Sequence, residues 1–150
     1  MHSRETKQVT LRPMTEADAE TVAGLCGELG YASDASEIRE RFRAIAPSAL
    51  LVVAADDADV PLGFIQAEIV RTIEAGARAH IVGLVVSSRA RRLGIARRLI
   101  AEVERWALSL GVEAVVVRSN TVRPEAHEFY PAVGYEKIKT QAVYLKRLGR

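Results

Sequence analysis

Cysteine is nearly absent from this sequence. Cys26 is the single thiol, which excludes an internal disulfide framework and fits a reducing cytoplasm. Long apolar runs are also missing. The longest stretches, such as Ile81–Val86, fall far short of the roughly 20 residues a membrane helix needs, so no membrane partner is expected. Residues 1–8 carry no apolar core that could serve as a secretory signal, and a cytoplasmic location is expected. No internal repeat and no low-complexity linker is present. No cluster of His, Cys and carboxylates has metal-ligand spacing, so no metal is expected. Gly-Lys-Ser/Thr does not occur, which excludes a Walker-type phosphate loop.

What remains describes an ordinary soluble globular chain. Its 150 residues suit one domain with one core, spanning residues 1–150. It is 49% hydrophobic and 27% charged, as such domains are. The net charge of +2 says nothing about partners. Its distribution says more: Arg89, Arg91, Arg92, Arg97 and Arg98 crowd together and favour a local anion site.

Val9–Arg12 reads as a short strand closed by Pro13. Thr15-Glu16-Ala17-Asp18 fits a capping box, and Ala19, Val22, Ala23 and Cys26 then recur at helical spacing until Gly30. Ser36 is a candidate cap for a second helix with Ile38, Phe42 and Ile45 on one face, ended by Pro47. Leu50–Ala55, Leu62–Val70 and Ala79–Val86 are three strands joined by short turns, which predicts an antiparallel meander. Gly94–Leu110 is the strongest helix, with Ile95, Leu99, Val103, Trp106 and Leu110 as its apolar stripe. Val112–Arg118 follows as a strand, so the strand–helix–strand crossover predicts that it lies parallel to 79–86. Pro124–Tyr130 is a short helix, and Tyr135–Lys139 and Ala142–Lys146 read as closing strands. The expected architecture is α/β, with a mixed sheet of six or seven strands flanked by about four helices.

The chemistry concentrates between Leu84 and Leu99. A buried strand enters an arginine-rich turn and then a helix beginning near Gly94. The first backbone N–H groups of a helix have no intrahelical acceptor and lie at the positive end of its dipole, so an anion fits there. Gly94 has no side chain to block close approach and Ala96 is nearly as small. Arginine forks can bind further phosphate charge. Read alone, the glycine could be only a turn and the arginines only a solvated surface. No aromatic residue interleaves the arginines, which argues against nucleic acid. Gly-x-Ala also lacks the later glycine of a dinucleotide fingerprint.

This segment resembles the signature of the GNAT family (Gcn5-related N-acetyltransferases), Arg/Gln-x-x-Gly-x-Gly/Ala between a strand and a helix. Here it stands as Arg91-Arg92-Leu93-Gly94-Ile95-Ala96. The resemblance extends along the whole chain in element order, and it implies a single GNAT domain. It also implies that acetyl-CoA is the acetyl donor, with its pyrophosphate on the amides of Arg92 to Arg97. Leu84, Val85 and Val86 sit where the family's cofactor-contacting strand ends, with its backbone lying along the pantetheine arm much as an added strand would. Strand 112–118 would then splay from strand 79–86, and Gly83 could mark a local bulge.

The tail, Arg123-Pro124-Glu125-Ala126-His127-Glu128-Phe129-Tyr130 and on to Gly134-Tyr135, is similar to the family's Asn-x-x-Ala-x-x-Phe-Tyr-x-x-x-Gly-Phe/Tyr. Arg123 stands in the Asn position and Asn120 lies three residues earlier, so either could make the usual cofactor contact. Phe129 is a further contact on this reading. The resemblance makes Tyr130 the general acid that protonates the departing CoA thiolate, since a phenol with a pKa of about 10 is protonated at neutral pH. Glu68, which alternates with Phe64 and Gln66, is the candidate base. His80, read as alternating with Val82, Leu84 and Val86, is a second candidate. Tyr31 and Asp34 in the loop after the first helix are candidates for an acceptor wall. The implied activity is acetyl transfer to a primary amine by direct attack in a ternary complex. A small-molecule amine is favoured over a protein as acceptor, and a homodimer is left open. The alternative is a catalytically degenerate acyl-CoA-binding regulatory module.

Overall fold

A computed structural model describes residues 8–91, 93–118 and 124–149, with the backbone alone for residues 124–127. Contacts group the chain into two units, residues 1–117 and residues 118–150. The first unit holds five strands in the order β1 (Thr10–Pro13), β2 (Ala49–Ala55), β3 (Pro61–Thr72), β4 (Gly76–Val86) and β5 (Val115–Val117). The first four pair antiparallel and β5 runs parallel to β4. Both the meander and the parallel crossover expected from the sequence are therefore present. Short turns set the meander. In the β2–β3 turn, Asp56 Oδ1 accepts from the N–H groups of Ala58 and Val60 at 2.9 and 3.0 Å.

Each face of the sheet is covered by helices. One face places Ile65, Ala67 and Ile81 toward α3 (Ile95–Ser109), which packs on β2, β3 and β4. The other carries Val53, Phe64 and Val85, which form a core with Met14, Val22 and Leu25 of the segment through α1 (Ala19–Glu28). Ile38 and Phe42 of α2 (Ala35–Ile45) pack against that core from outside. Cys26 joins them, half-buried, and burial pushes its thiol pKa up.

The core stripe of α3 is Ile95, Leu99, Ile100, Val103 and Ala107. Trp106 is only half-buried and Leu110 is 55% exposed. The expected stripe drifts off the core after Val103, because a helix of 3.6 residues per turn brings Ala107 rather than Trp106 back under the sheet. The cap of α2 also differs from expectation. Asp34 accepts from the N–H of Glu37 at 2.9 Å, and Glu37 reaches back to the Asp34 N–H at 3.0 Å. Ser36 lies inside the helix.

The capping box ahead of α1 contains the most buried charge among the described residues. Asp18 is 5% exposed. The Arg12 fork donates to both its oxygens, from Nη1 at 2.9 Å and Nη2 at 2.8 Å, and the Thr15 N–H donates at 2.8 Å. Arg12 also bonds Asp59 from Nε at 2.8 Å, tying β1 to the β2–β3 turn. Burial pushes the Asp18 pKa up, but the Arg12 bonds and the Thr15 N–H together hold it below the usual aspartate value. The stabilisation is therefore complete above the unfolded pKa of about 3.9 and is lost as pH falls through the lower folded value. Asp18→Asn is expected to cost about 2 kcal/mol at pH 7, because the Arg12 charge loses its partner. Urea unfolding checks this: the gap to wild type should narrow steadily as pH falls below the unfolded pKa of about 3.9, and an equal gap at all pH would contradict it.

The second unit contains α4 (Pro124–Ala132), two residues longer than expected, and a tail with no strand among its described residues. The expectation of six or seven strands is thus corrected to five among the described residues. Residues 135–139 and 142–146 have strand-like alternation, but a strand also needs a partner for its backbone groups. The tail instead leaves Ile138, Val143, Tyr144, Leu145 and Leu148 exposed.

Candidate active site

β4 passes into α3 through a short turn that begins at Ser87. Ser87 is fully buried. Its N–H donates to the Leu62 carbonyl at 2.7 Å, and its Oγ accepts from the Arg89 N–H at 3.2 Å. Glu28, the last residue of α1, reaches the same turn. It accepts from the Ser88 N–H at 3.0 Å and from the Ser87 hydroxyl at 3.4 Å. Gly63 of β3 lies beneath: a Cβ there would stand 2.7 Å from the Val85 carbonyl oxygen. Neither Glu28, Ser87 nor Gly63 stands out in the sequence. The strand-interior glycine is the one available signal, since such a glycine marks a close backbone approach.

The turn ends at Gly94, which has φ +73° and caps α3. Only glycine adopts this conformation freely. Among the described residues no side chain caps the helix, and no acidic residue lies in its first turn. The Arg98 N–H closes the first helical bond on the Gly94 carbonyl at 3.1 Å. That leaves the amides of Ile95, Ala96 and Arg97 ahead of the ladder, where the helix dipole is positive. Nothing in the described structure lies within 4 Å of where a Gly94 Cβ would be. An anion fits this arrangement in both charge and space.

Arg91, Leu93 and Arg97 are exposed around this point, Ala96 is half-buried and the Ile95 side chain is buried in the core. Arg92 lies outside the described residues. Arg98 belongs elsewhere: its Nη1 donates to the Val9 carbonyl at 2.8 Å and holds the start of β1.

β5 pairs with β4 only from Ala79 to Ile81. Beyond Ile81, β4 continues through Leu84, Val85 and Val86 with no strand on that side among the described residues. The change coincides with a bulge. Gln66 pairs with Gly83 but Ala67 pairs with Ile81, so Val82 is extra and is 54% exposed. The bulge reverses which residues share a face. His80 pairs with Glu68 and shares the face of Gly83 and Val85. It does not share the face of Leu84 and Val86, and strict alternation across the bulge is the wrong premise.

Glu68 is half-buried on the face that α1 covers, and the Gln66 Nε2 donates to its Oε2 at 2.8 Å. Glu68, Gln66 and His80 are thus brought onto one face by register. In the loop between α1 and α2, Tyr31 is 69% exposed, and Asp34 spends one oxygen on its helix cap.

In the second unit, Tyr130 is half-buried. Its ring meets Phe129 edge-on at 5.2 Å between centroids and Tyr135 at 6.2 Å. The Tyr135 N–H donates to the Tyr130 carbonyl at 2.9 Å. Burial raises the phenol pKa, so the hydroxyl keeps its proton at neutral pH. Asn120 and Arg123 lie outside the described residues.

Comparison with known proteins agrees with this fold. The family model described as "Acetyltransferase (GNAT) family" matches residues 18–135. An aminoglycoside N(6')-acetyltransferase type 1 from Serratia marcescens is 30% identical over 76 residues, 51% of this chain and 52% of that protein. The match thus spans about half of that relative's length. Among solved structures, the aminoglycoside N-acetyltransferase AAC(6')-Iy in complex with CoA superposes with a TM-score of 0.82 at 22% identity, covering 98% of this chain and 100% of its own. Glucosamine-6-phosphate N-acetyltransferase from Arabidopsis thaliana superposes at 0.81 with 18% identity, covering 92% and 98%. The chain belongs to the GNAT acetyltransferase family, enzymes whose acetyl donor is acetyl-CoA.

Proposed function

We propose that this chain, as one acetyltransferase domain, moves the acetyl group of acetyl-CoA to a primary amine of a small molecule by direct attack in a ternary complex. The uncapped N-terminus of α3 behind a left-handed Gly94 is the observation that carries this reading. Acetyl-CoA supplies the thioester acyl group. The amides of Ile95, Ala96 and Arg97 hold its pyrophosphate, with the turn Arg91-Arg92-Leu93-Gly94 around it. The unpaired side of β4 at Leu84, Val85 and Val86 runs along the pantetheine arm. Phe129 and either Asn120 or Arg123 complete the cofactor contacts. Glu68 takes the proton from the attacking amine. Tyr130 gives its proton to the departing thiolate; burial raises its phenol pKa, which keeps that proton in place at neutral pH.

The aminoglycoside acetyltransferase relatives favour a small aminated acceptor, with amino sugars the first class to test. A homodimer belongs to the same reading. The five exposed apolar side chains of the tail are surface that a second copy would cover. Light scattering at the monomer mass under assay conditions would remove that part.

Thiol release from acetyl-CoA, measured across a panel of amines, tests the proposal. Release that depends on an amine supports it. CoA binding with no release on any amine would overturn the transfer and leave an acyl-CoA-binding module.

A further inference from the structure

The placement of Glu28 is unusual on local grounds. It is the last residue of α1, where the negative end of the helix dipole disfavours a carboxylate, and no basic residue in the last turn offsets it. The helix gains nothing from it there. Its partners lie 59 and 60 residues later: the buried Ser87 hydroxyl and the Ser88 N–H. These two residues open the turn that delivers Gly94 to the start of α3. Ser87 is itself fixed below by its N–H bond to Leu62, and its Oγ bonds the Arg89 N–H. The Ser88 N–H, by contrast, is held by Glu28. A carboxylate beside this turn would repel a phosphate, so its value there lies in the bond it accepts and not in its charge.

We infer that Glu28 is a positioning residue for the cofactor turn, a latch from the end of α1 that sets the path from Ser88 to Gly94 and so preorganises the anion site. The inference rests on the cofactor reading above. It assigns α1 a second task beyond covering the sheet: it ties the helix next to the acceptor-wall loop to the turn that grips the donor.

Calorimetry of CoA binding, with hydrogen exchange at the Ser88 amide, tests the latch. Glu28→Ala is expected to weaken CoA binding about fivefold, the scale of one lost hydrogen bond, and to remove protection at Ser88. Glu28→Gln keeps an acceptor oxygen and should restore both. The thermal midpoint should fall by no more than about 4 °C in Glu28→Ala, the scale of that one exposed bond, and Glu28→Gln should recover it. If wild type binds CoA and Glu28→Ala binds it equally well, the latch is wrong and the cofactor reading stands. If Glu28→Gln fails as Glu28→Ala does, the accepted bond is not what matters and the latch is again wrong. If wild type does not bind CoA at all, both fall together.

Discussion

Gly94→Glu is expected to weaken CoA binding by about 30- to 100-fold, roughly 2–3 kcal/mol. Two effects add. A non-glycine residue at φ +73° costs about 1–2 kcal/mol in backbone strain, some of which is relieved by moving the turn and so misplacing the helix amides. The new carboxylate then stands against a diphosphate at a helix N-terminus that has no acidic residue in its first turn. Space inside the fold is not the obstacle, since nothing among the described residues lies within 4 Å of the position a Cβ would take. Gly94→Asn separates the two effects. Asparagine tolerates the left-handed region and carries no charge, so it should lose less than tenfold. Calorimetry with CoA reads all three proteins. Equal affinity in a folded Gly94→Glu would remove the turn from the cofactor site.

Tyr130→Phe should lower kcat by at least about 100-fold while leaving CoA affinity within about twofold, as expected for a lost general acid. Phenylalanine keeps the edge-on contacts with Phe129 and Tyr135, so the local packing survives. The raised phenol pKa carries a second consequence. The neutral form is the donor, and it persists to higher pH than in a free tyrosine, so wild-type kcat should show no fall assignable to this group below about pH 10. A wild-type rate in Tyr130→Phe, with thiol release as the readout, would exclude the role.

Local features of the site were legible in the sequence. Gly94 and the apolar spacing of Ile95, Leu99 and Val103 announce a strand-to-helix turn with a free N-terminus, because glycine conformation and helical period act over a few residues. The meander was legible for the same reason. Features that depend on distant pairing were not. The bond from Glu28 to Ser88 joins positions 60 apart and leaves no periodic trace. The extra residue at Val82 breaks the alternation that placed His80 with Leu84 and Val86, and only the register against β3 reveals it. The tail shows the limit most clearly. Its alternation satisfies strand propensity, yet it finds no ladder partner among the described residues. The arginine cluster is less local than its spacing suggests: the Arg98 fork donates to the Val9 carbonyl and so serves the start of β1.

A crystal structure of the protein grown with CoA would bear most directly on the account. The diphosphate should lie about 3 Å from the backbone nitrogens of Ile95, Ala96 and Arg97, with the pantetheine alongside Leu84 to Val86. Coenzyme bound elsewhere, with those three amides facing only solvent, would contradict it.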